Sequence, residues 1–179
     1  MQGLVRFEAA VLKGLEALHG NRLLDGAMLF VSWLGNSGLL FIALALLMLC
    51  FKRLRVLGGV CCTALALDAL LVNVLLKPLV ARERPFATGA FTLLLLPPGD
   101  YSFPSGHTAA AFAFAAALAP AGKKWSAAAL LFACLMGFSR MYLSVHFPTD
   151  VLCGALCGAL CGRAALFLWK KARGHDIML

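Results

Sequence analysis

Five apolar runs dominate the chain and are separated by breaks that carry proline, glycine or charged residues. They cover residues 22 to 51, 55 to 77, 105 to 120, 125 to 142 and 148 to 170. A straight transmembrane helix needs about 20 apolar residues, so the first run is too long for one, and its Gly35-Asn36-Ser37-Gly38 segment predicts a break or a tilt. The pattern predicts an all-α, polytopic transmembrane bundle with five spans, or six if residues 22 to 51 pass twice.

The segment before these runs has a different, amphipathic pattern. Over residues 3 to 19 the apolar side chains share one helical face, within an arc of roughly 80° at 100° per residue: Leu4, Phe7, Val11, Leu15 and Leu18. It lacks the continuous apolar core and small-residue cleavage site of a signal peptide. We expect a retained N-terminal interfacial helix along the membrane surface, and a helix packed on the bundle is an equal alternative.

Composition supports a membrane protein independently of these runs. Hydrophobic residues make up 62% of the 179 positions and charged residues 13%, far from the balance of a soluble domain. The length suits a single domain over residues 1 to 179. The net charge is +8, but the cations lie in short clusters between apolar runs, with no soluble basic module attached, which argues against a nucleic-acid partner.

Three short segments place ionisable residues at the ends of the apolar runs. They are Lys77-x6-Arg84-Pro85, Pro104-Ser105-Gly106-His107 and Ser139-Arg140-x5-His146-x3-Asp150. Charged groups near an apolar bundle are costly unless they pair or serve a function. Lys77, Arg84 and Arg140 can neutralise the three equatorial oxygens of a phosphoryl group in its transition state. The three segments therefore indicate chemistry on phosphate.

The two histidines suit complementary roles in that chemistry. His146 and Asp150 are four residues apart, so on a helix the carboxylate can hold the imidazole in one tautomer and stabilise its positive form; we interpret His146 as the nucleophile, and a structural His–Asp pair is the alternative. His107 lies at a predicted helix start, where free amides favour an anion. We expect the Ser105 and Gly106 amides to bind phosphate oxygens and His107 to protonate the leaving group.

At every defining position these segments resemble the tripartite signature of the type 2 phosphatidic acid phosphatase superfamily. The resemblance implies a membrane lipid phosphatase that forms a phosphohistidine, which water hydrolyses. No metal is expected, because the chain has no carboxylate cluster of the two-metal type, and no other cofactor is expected. Family substrates include undecaprenyl diphosphate, phosphatidylglycerophosphate, phosphatidic acid and lipid A phosphates. We expect the site to face outward. An outward-facing site in a small chain favours undecaprenyl diphosphate as the substrate, and a glycerolipid phosphatase is the alternative.

Two other functions stay open on the same fold. A lipid or phosphate transporter, or a lipid binder that has lost hydrolysis, should lack one of the six ionisable signature residues, and none is missing. A phosphotransferase would pass the group from phosphohistidine to an alcohol, and analysis of the products would separate it from a hydrolase. The related soluble vanadium haloperoxidases share the signature, but here the apolar spans indicate a membrane lipid as the partner.

The remaining cations predict the topology. They form three clusters that alternate with the signature segments along the chain: Lys52-Arg53-x-Arg55, Lys123-Lys124, and Arg163 with Lys170, Lys171 and Arg173. The positive-inside rule places such clusters in the cytoplasm. We therefore expect an integral protein of the bacterial plasma membrane whose signature segments face the extracytoplasmic side.

Several other positions in or near the signature have two interpretations each. Arg82 and Glu83 are interpreted as a solvated pair at the rim, with substrate contact as the alternative. Asp68 lies in mid-span and is predicted to be a neutralised or hydrogen-bonded structural group, or to serve a proton path or a supporting role near the site. The apolar loop 86 to 103 either dips into the membrane interface beside the site or simply covers the bundle.

The last apolar run carries glycines and cysteines at four-residue spacing. Gly154, Gly158 and Gly162 predict a small-residue packing face, which suits contact within the chain or a homodimer. Cys157-x5-Arg163 has the spacing of a cysteine phosphatase loop. That chemistry needs a curled loop before a helix, whereas the run indicates a continuous helix. We therefore expect packing rather than thiol chemistry.

Overall fold

Eight α-helices form the part of the chain that this computed structural model describes, residues 2 to 173, and that part contains no β-strand. The helices are α1 (Gln2–Glu16), α2 (Arg22–Leu34), α3 (Leu39–Cys50), α4 (Arg55–Asp68), α5 (Lys77–Val80), α6 (Gly106–Ala117), α7 (Lys123–Tyr142) and α8 (Pro148–Arg173). A π-helical segment, Ala69–Leu76, joins α4 to α5. The all-α prediction is confirmed.

The predicted break in the first apolar run lies between α2 and α3. Ser37 has a φ of 51° and Gly38 a φ of 67°, both in the left-handed region that a continuing α-helix does not use. The two helices differ in direction by 42° across this break. The Asn21 side chain caps α2 by accepting hydrogen bonds from the Leu23 and Leu24 amides at 3.1 and 3.2 Å.

Three helical stretches among the described residues are long and apolar enough to cross a membrane. They are Arg55–Thr88, which includes α4 and α5, together with α7 and α8. The bent α2–α3 pair passes the same test as one unit and makes a fourth candidate. With 12 residues, α6 is shorter than a typical span. The chain is therefore built as an integral membrane protein with three to four candidate spans.

The glycines of α8 allow it to pack directly on the backbone of α6. A Cβ atom on Gly154, Gly158 or Gly162 would lie 2.6, 2.0 or 2.5 Å from a carbonyl oxygen of that neighbour. The predicted small-residue face is thus a contact within the chain, and α6 covers it against a second copy. Cys157 lies inside the continuous α8, so the curled loop of a cysteine phosphatase is not formed.

A cluster of apolar side chains closes the end of the bundle where the signature segments lie. Tyr142, Leu143 and Val145 are fully buried there, and Leu93 to Leu95 of the 86 to 103 loop pack against them. The Thr92 amide donates to Glu16 Oε1 at 2.7 Å, which ties the loop to α1. This part of the loop covers the bundle, as one of the two interpretations predicted.

Candidate active site

The helix ends place the signature residues around one cleft. The π-helical segment ends at Lys77 and α7 ends just after Arg140, while α6 begins just before His107. These three side chains and Arg84 line a cleft of about 1200 Å³. Two exposed side chains, Trp33 and Leu96, belong to the same lining, so the cleft reaches the apolar surface of the bundle.

His146 and Asp150 form a fully buried pair behind this cleft. His146 Nδ1 lies 3.6 Å from Asp150 Oδ2, and the four-residue spacing places both on the turn that starts α8. Burial lowers the pKa of His146 to about 3; Asp150 opposes this shift, whereas the charges of Arg140 and Arg84 add to it. The imidazole is therefore neutral, and a proton on Nδ1 facing Asp150 leaves the lone pair on Nε2.

Arg84 lies between His146 and the cleft. Its Nη1 is 3.2 Å from His146 Nε2 and donates to the Val145 carbonyl oxygen at 2.8 Å. Arg84 lines the cleft, whereas His146 is only 1% exposed and does not. An attack by Nε2 on phosphorus consequently requires the guanidinium to move aside or to hold the phosphate against the imidazole.

Asp100 joins two of the predicted phosphate ligands. Its carboxylate accepts a hydrogen bond from Lys77 Nζ and another from Arg84 Nη2, the latter at 2.6 Å. Burial disfavours the ionised form, but the hydrogen bonds and charges of Lys77 and Arg84 outweigh it and lower the pKa of Asp100 to about 2. Nothing in the sequence pattern singled this residue out, because it stands in an irregular loop outside the three segments.

Arg140 is the most deeply buried of the cations that line the cleft, at 3% exposed. Its Nη1 donates to Ser32 Oγ on α2, while its Nε has no hydrogen-bond partner within residues 2 to 173. A buried guanidinium nitrogen without an acceptor is costly. Arg140 therefore lines the cleft with one of its hydrogen-bond donors still unused.

The start of α6 differs from the prediction in one respect. The Ser105 amide donates to the Asp150 carbonyl oxygen at 3.0 Å, and its hydroxyl caps the helix through Thr108, so Ser105 is already engaged. The Ser105 amide is therefore not free for phosphate in this arrangement, and the predicted contact stays a prediction. The Gly106 and His107 amides make no backbone hydrogen bond in the described chain, and both residues line the cleft.

Gly106 also allows a close approach of the Asn73 side chain. A Cβ atom at this position would lie 2.9 Å from Asn73 Oδ1 and 3.7 Å from Lys77 Nζ. The glycine thus lets the π-helical segment, and Lys77 at its end, sit against the start of α6. Segments of π-helix often occur at functional sites, and this one sets the position of a predicted phosphate ligand.

The interpretation of Arg82 as one half of a solvated rim pair is wrong. Its Nη1 contacts Asp150 Oδ1 at 2.6 Å and its Nη2 contacts Glu8 Oε2 at 2.7 Å, whereas Glu83 is exposed. Asp68 is 2% exposed and lines the cleft, but its Oδ1 has no hydrogen-bond partner among the described residues. This arrangement does not separate a structural role of Asp68 from a proton path or a supporting role, and both stay predictions.

Comparisons with known proteins relate this site to characterised phosphatases. An undecaprenyl-diphosphatase of Sulfolobus acidocaldarius is 36% identical over 133 residues, which is 73% of this chain and 64% of that protein, so the chain matches just under two thirds of that relative's length. The undecaprenyl-diphosphatase BcrC of Bacillus subtilis is 30% identical over 146 residues, covering 79% of this chain and 74% of BcrC.

Solved structures show the same fold. The crystal structure of Aquifex aeolicus LpxE matches with a TM-score of 0.76 and 30% identity, over 88% of this chain and 93% of that one. A transmembrane PAP2 type phosphatidylglycerolphosphate phosphatase of Bacillus subtilis matches with a TM-score of 0.80 and 26% identity, over 96% and 88%. The model of the PAP2 superfamily matches residues 57 to 173, a range that includes all three signature segments, and the chain therefore belongs to this superfamily.

Proposed function

We propose that this protein is a membrane lipid phosphatase that hydrolyses undecaprenyl diphosphate to the monophosphate through a phosphohistidine. The observation that carries the proposal is the cleft itself, where three cations and the start of α6 meet next to a buried His–Asp pair. Two relatives named undecaprenyl-diphosphatase support the choice of substrate. The apolar side of the cleft suits a substrate whose lipid chain remains in the membrane.

In the first step, His146 attacks the terminal phosphorus. Lys77, Arg84 and Arg140 bind its equatorial oxygens, and the lone pair of Nε2 forms the N–P bond while the bridging P–O bond breaks. Asp150 stabilises the positive charge that develops on the imidazole, through the proton on Nδ1. His107 in its protonated form gives a proton to the departing lipid phosphate.

In the second step, water releases the phosphate. His107, now neutral, accepts a proton as a water oxygen attacks phosphorus, and the N–P bond breaks to return the His146 lone pair. The amides of Gly106 and His107 can bind a phosphate oxygen at the start of α6, where the helix dipole favours an anion. The reaction consumes one water and yields inorganic phosphate and a lipid monophosphate.

A glycerolipid phosphatase is the second candidate. The observation that favours it is the structural match to the phosphatidylglycerolphosphate phosphatase, which extends over 96% of this chain. The phosphate-binding groups proposed here would serve either substrate, because both present a terminal phosphoryl group. The lipid beyond that group must then be selected by the apolar part of the cleft.

The proposed arrangement in the membrane has five spans in one domain. The bent α2–α3 pair forms one broken span, α4 with α5 the second, α6 with the turn that follows it the third, and α7 and α8 the last two. The amphipathic α1 then lies along the interface on the side of the site. Because the cation clusters fall at the opposite ends of these spans, the site would face the outside of the plasma membrane.

The experiment that tests the proposal measures phosphate release from detergent-purified protein in the presence of EDTA. The substrates are undecaprenyl diphosphate, phosphatidylglycerophosphate and phosphatidic acid, and the variant is His146→Ala. As a control, His19→Gln changes a histidine outside the cleft while retaining a donor for the Tyr142 carbonyl oxygen, which His19 Nε2 contacts at 2.8 Å.

The expected result is release that His146→Ala abolishes and His19→Gln preserves, with undecaprenyl diphosphate as the best substrate. A higher kcat/KM for phosphatidylglycerophosphate would replace the first candidate with the second. Wild-type protein that binds these lipids but releases no phosphate would instead be a binder or transporter. Transfer of the phosphate to an added alcohol in preference to water would identify a phosphotransferase.

A further inference from the structure

We propose that Glu8 and Arg82 are positioning residues for the catalytic pair, so that α1 is a working part of the active site; this inference rests on the proposed function. Arg82 binds both Asp150 and Glu8 through separate nitrogens, at 2.6 and 2.7 Å. Glu8 lies on α1 and Asp150 lies on α8, and α1 contains no part of the three signature segments. A single guanidinium therefore joins the N-terminal helix to the carboxylate that faces His146.

Burial raises the free-energy cost of breaking these contacts. Glu8 is 1% exposed and Asp150 is fully buried, so each carboxylate needs a partner to compensate for its lost hydration. Thr149 donates its hydroxyl to Glu8 and receives a hydrogen bond from Arg82 Nη1 at 2.8 Å. The guanidinium carbon also lies 4.1 Å from the centre of the Phe147 ring, in cation–π geometry.

The network fixes which oxygen of Asp150 faces the imidazole. Arg82 holds Oδ1, whereas Oδ2 accepts from Ser102 Oγ at 2.5 Å and from the Phe147 amide at 2.8 Å. The same Oδ2 is the atom 3.6 Å from His146 Nδ1. Rotation of the carboxylate would break these contacts together. Arg82 thus orients Asp150, and Glu8 orients Arg82 by binding its second nitrogen.

Position and charge can be tested separately with three variants. Arg82→Gln removes the charge and the fork, Arg82→Lys keeps the charge with a single ammonium, and Glu8→Gln keeps the shape of the carboxylate without its charge. Two matched controls are Glu83→Gln, next to Arg82 but exposed, and Glu16→Gln, on the same helix as Glu8. Glu16 contacts the Thr92 amide and lies outside the network.

The readouts are kcat and KM for release of phosphate from undecaprenyl diphosphate, and the rate at which ³²P-labelled substrate forms an alkali-stable phosphoenzyme. Both are measured on the monodisperse fraction, so that unfolded protein does not contribute. We expect Arg82→Gln to lower kcat and phosphoenzyme formation by about 10- to 100-fold, the range seen for groups that orient a functional histidine. KM should change by less than about 2-fold, since the phosphate ligands are untouched.

Glu8→Gln should lower kcat by about 10-fold, and Arg82→Lys should recover part of the loss caused by Arg82→Gln. The Arg82→Gln and Glu8→Gln effects should also be less than additive, because both act on Asp150 through one path. If wild-type protein is active and these variants match the two controls in kcat and phosphoenzyme rate, the inference is overturned. Inactive wild-type protein would instead overturn the proposed function.

Discussion

Asp100 contacts the same cations that are proposed to bind phosphate, so the two anions should compete. Asp100→Asn removes the carboxylate charge from Lys77 and Arg84. Each partly exposed ion pair contributes about 0.2 to 1 kcal/mol and two are lost, so we expect the Ki of orthovanadate as a competitive inhibitor to fall about 2- to 30-fold. Inhibition of phosphate release measures this, with Glu83→Gln as the control. An unchanged Ki would show that Asp100 does not compete with the anion.

The pKa of Asp100 predicts how the effect of Asp100→Asn on Ki depends on pH. Lys77 and Arg84 hold this pKa at about 2, below the ordinary value of 3.8. The carboxylate therefore stays ionised above about pH 4, and its pairing is lost only as the pH falls through about 2. The ratio of the wild-type and Asp100→Asn Ki values should consequently stay constant between about pH 5 and 8.

The burial of His146, the proposed nucleophile, predicts a second pH response. Burial holds the pKa of His146 at about 3, so the imidazole is neutral and nucleophilic from about pH 5 to 8. Lowering the pH from about 8 to 5 should not reduce kcat/KM through protonation of His146. Any acid limb should come from the second ionisation of a substrate phosphate, near 6, and should shift when the substrate changes. A limb with one midpoint for all substrates would contradict this.

At the scale of single residues, the sequence identified the cations and His107 of the cleft, but neither Asp100 beside them nor the groups that hold Asp150. The signature residues stand at the ends of apolar runs, where a charge must have a function, and this makes them visible. The role of Arg82 depends on Glu8, which is 74 residues away in the chain. No local spacing encodes such a pair, and only the docking of α1 brings it together.

Among the elements, the contact between α6 and α8 determines the position of the site most directly. Gly158→Ala would place a Cβ atom 2.0 Å from the Ala109 carbonyl oxygen, so the two helices must separate. Overpacking of this kind costs about 1 to 3 kcal/mol or more, and α6 also carries His107. We expect a lower thermal unfolding midpoint in detergent, together with reduced phosphate release.

Gly26→Ala is the matched control for that substitution. Nothing lies within 4 Å of a Cβ atom at Gly26, which is inside α2. Replacing glycine by alanine in a helix contributes about 1 kcal/mol, so this variant should be equal to or more stable than the wild type. Equal midpoints for Gly158→Ala and wild type would mean that α6 and α8 are not packed as described.

The helices themselves could be predicted closely because their apolar runs are long and their breaks are marked. The left-handed residues between α2 and α3 fall within the predicted Gly35 to Gly38 break. The course of the 86 to 103 loop could not be derived, since its leucines suit either a membrane interface or a protein core. Its contact with Glu16 of α1 depends on tertiary packing that periodicity does not describe.

For the whole molecule, the distribution of cations supports the proposed orientation. In the proposed arrangement all signature segments lie at one membrane face, and the clusters at Lys52 to Arg55, Lys123-Lys124 and Arg163 to Arg173 lie at the other. Cytoplasmic loops carry an excess of Lys and Arg. Cations that bind substrate are excluded from this count, because their position is set by the reaction.

This orientation can be tested with single cysteines in a background where the seven native cysteines are alanine. The first position is Leu96, which lies beside the cleft and has a wild-type side chain that is 88% exposed. The second is Lys124, which lies in a cation cluster at the start of α7. The two variants are Leu96→Cys and Lys124→Cys. In intact cells a membrane-impermeant maleimide should label position 96, and it should reach position 124 only after permeabilisation. A monodisperse elution profile of both variants in detergent is the control for folding. The reverse labelling pattern would put the cleft on the cytoplasmic side and contradict the proposed topology. A cytoplasmic site could not act on lipid diphosphate exposed at the outer leaflet, so the proposed substrate would then be wrong as well.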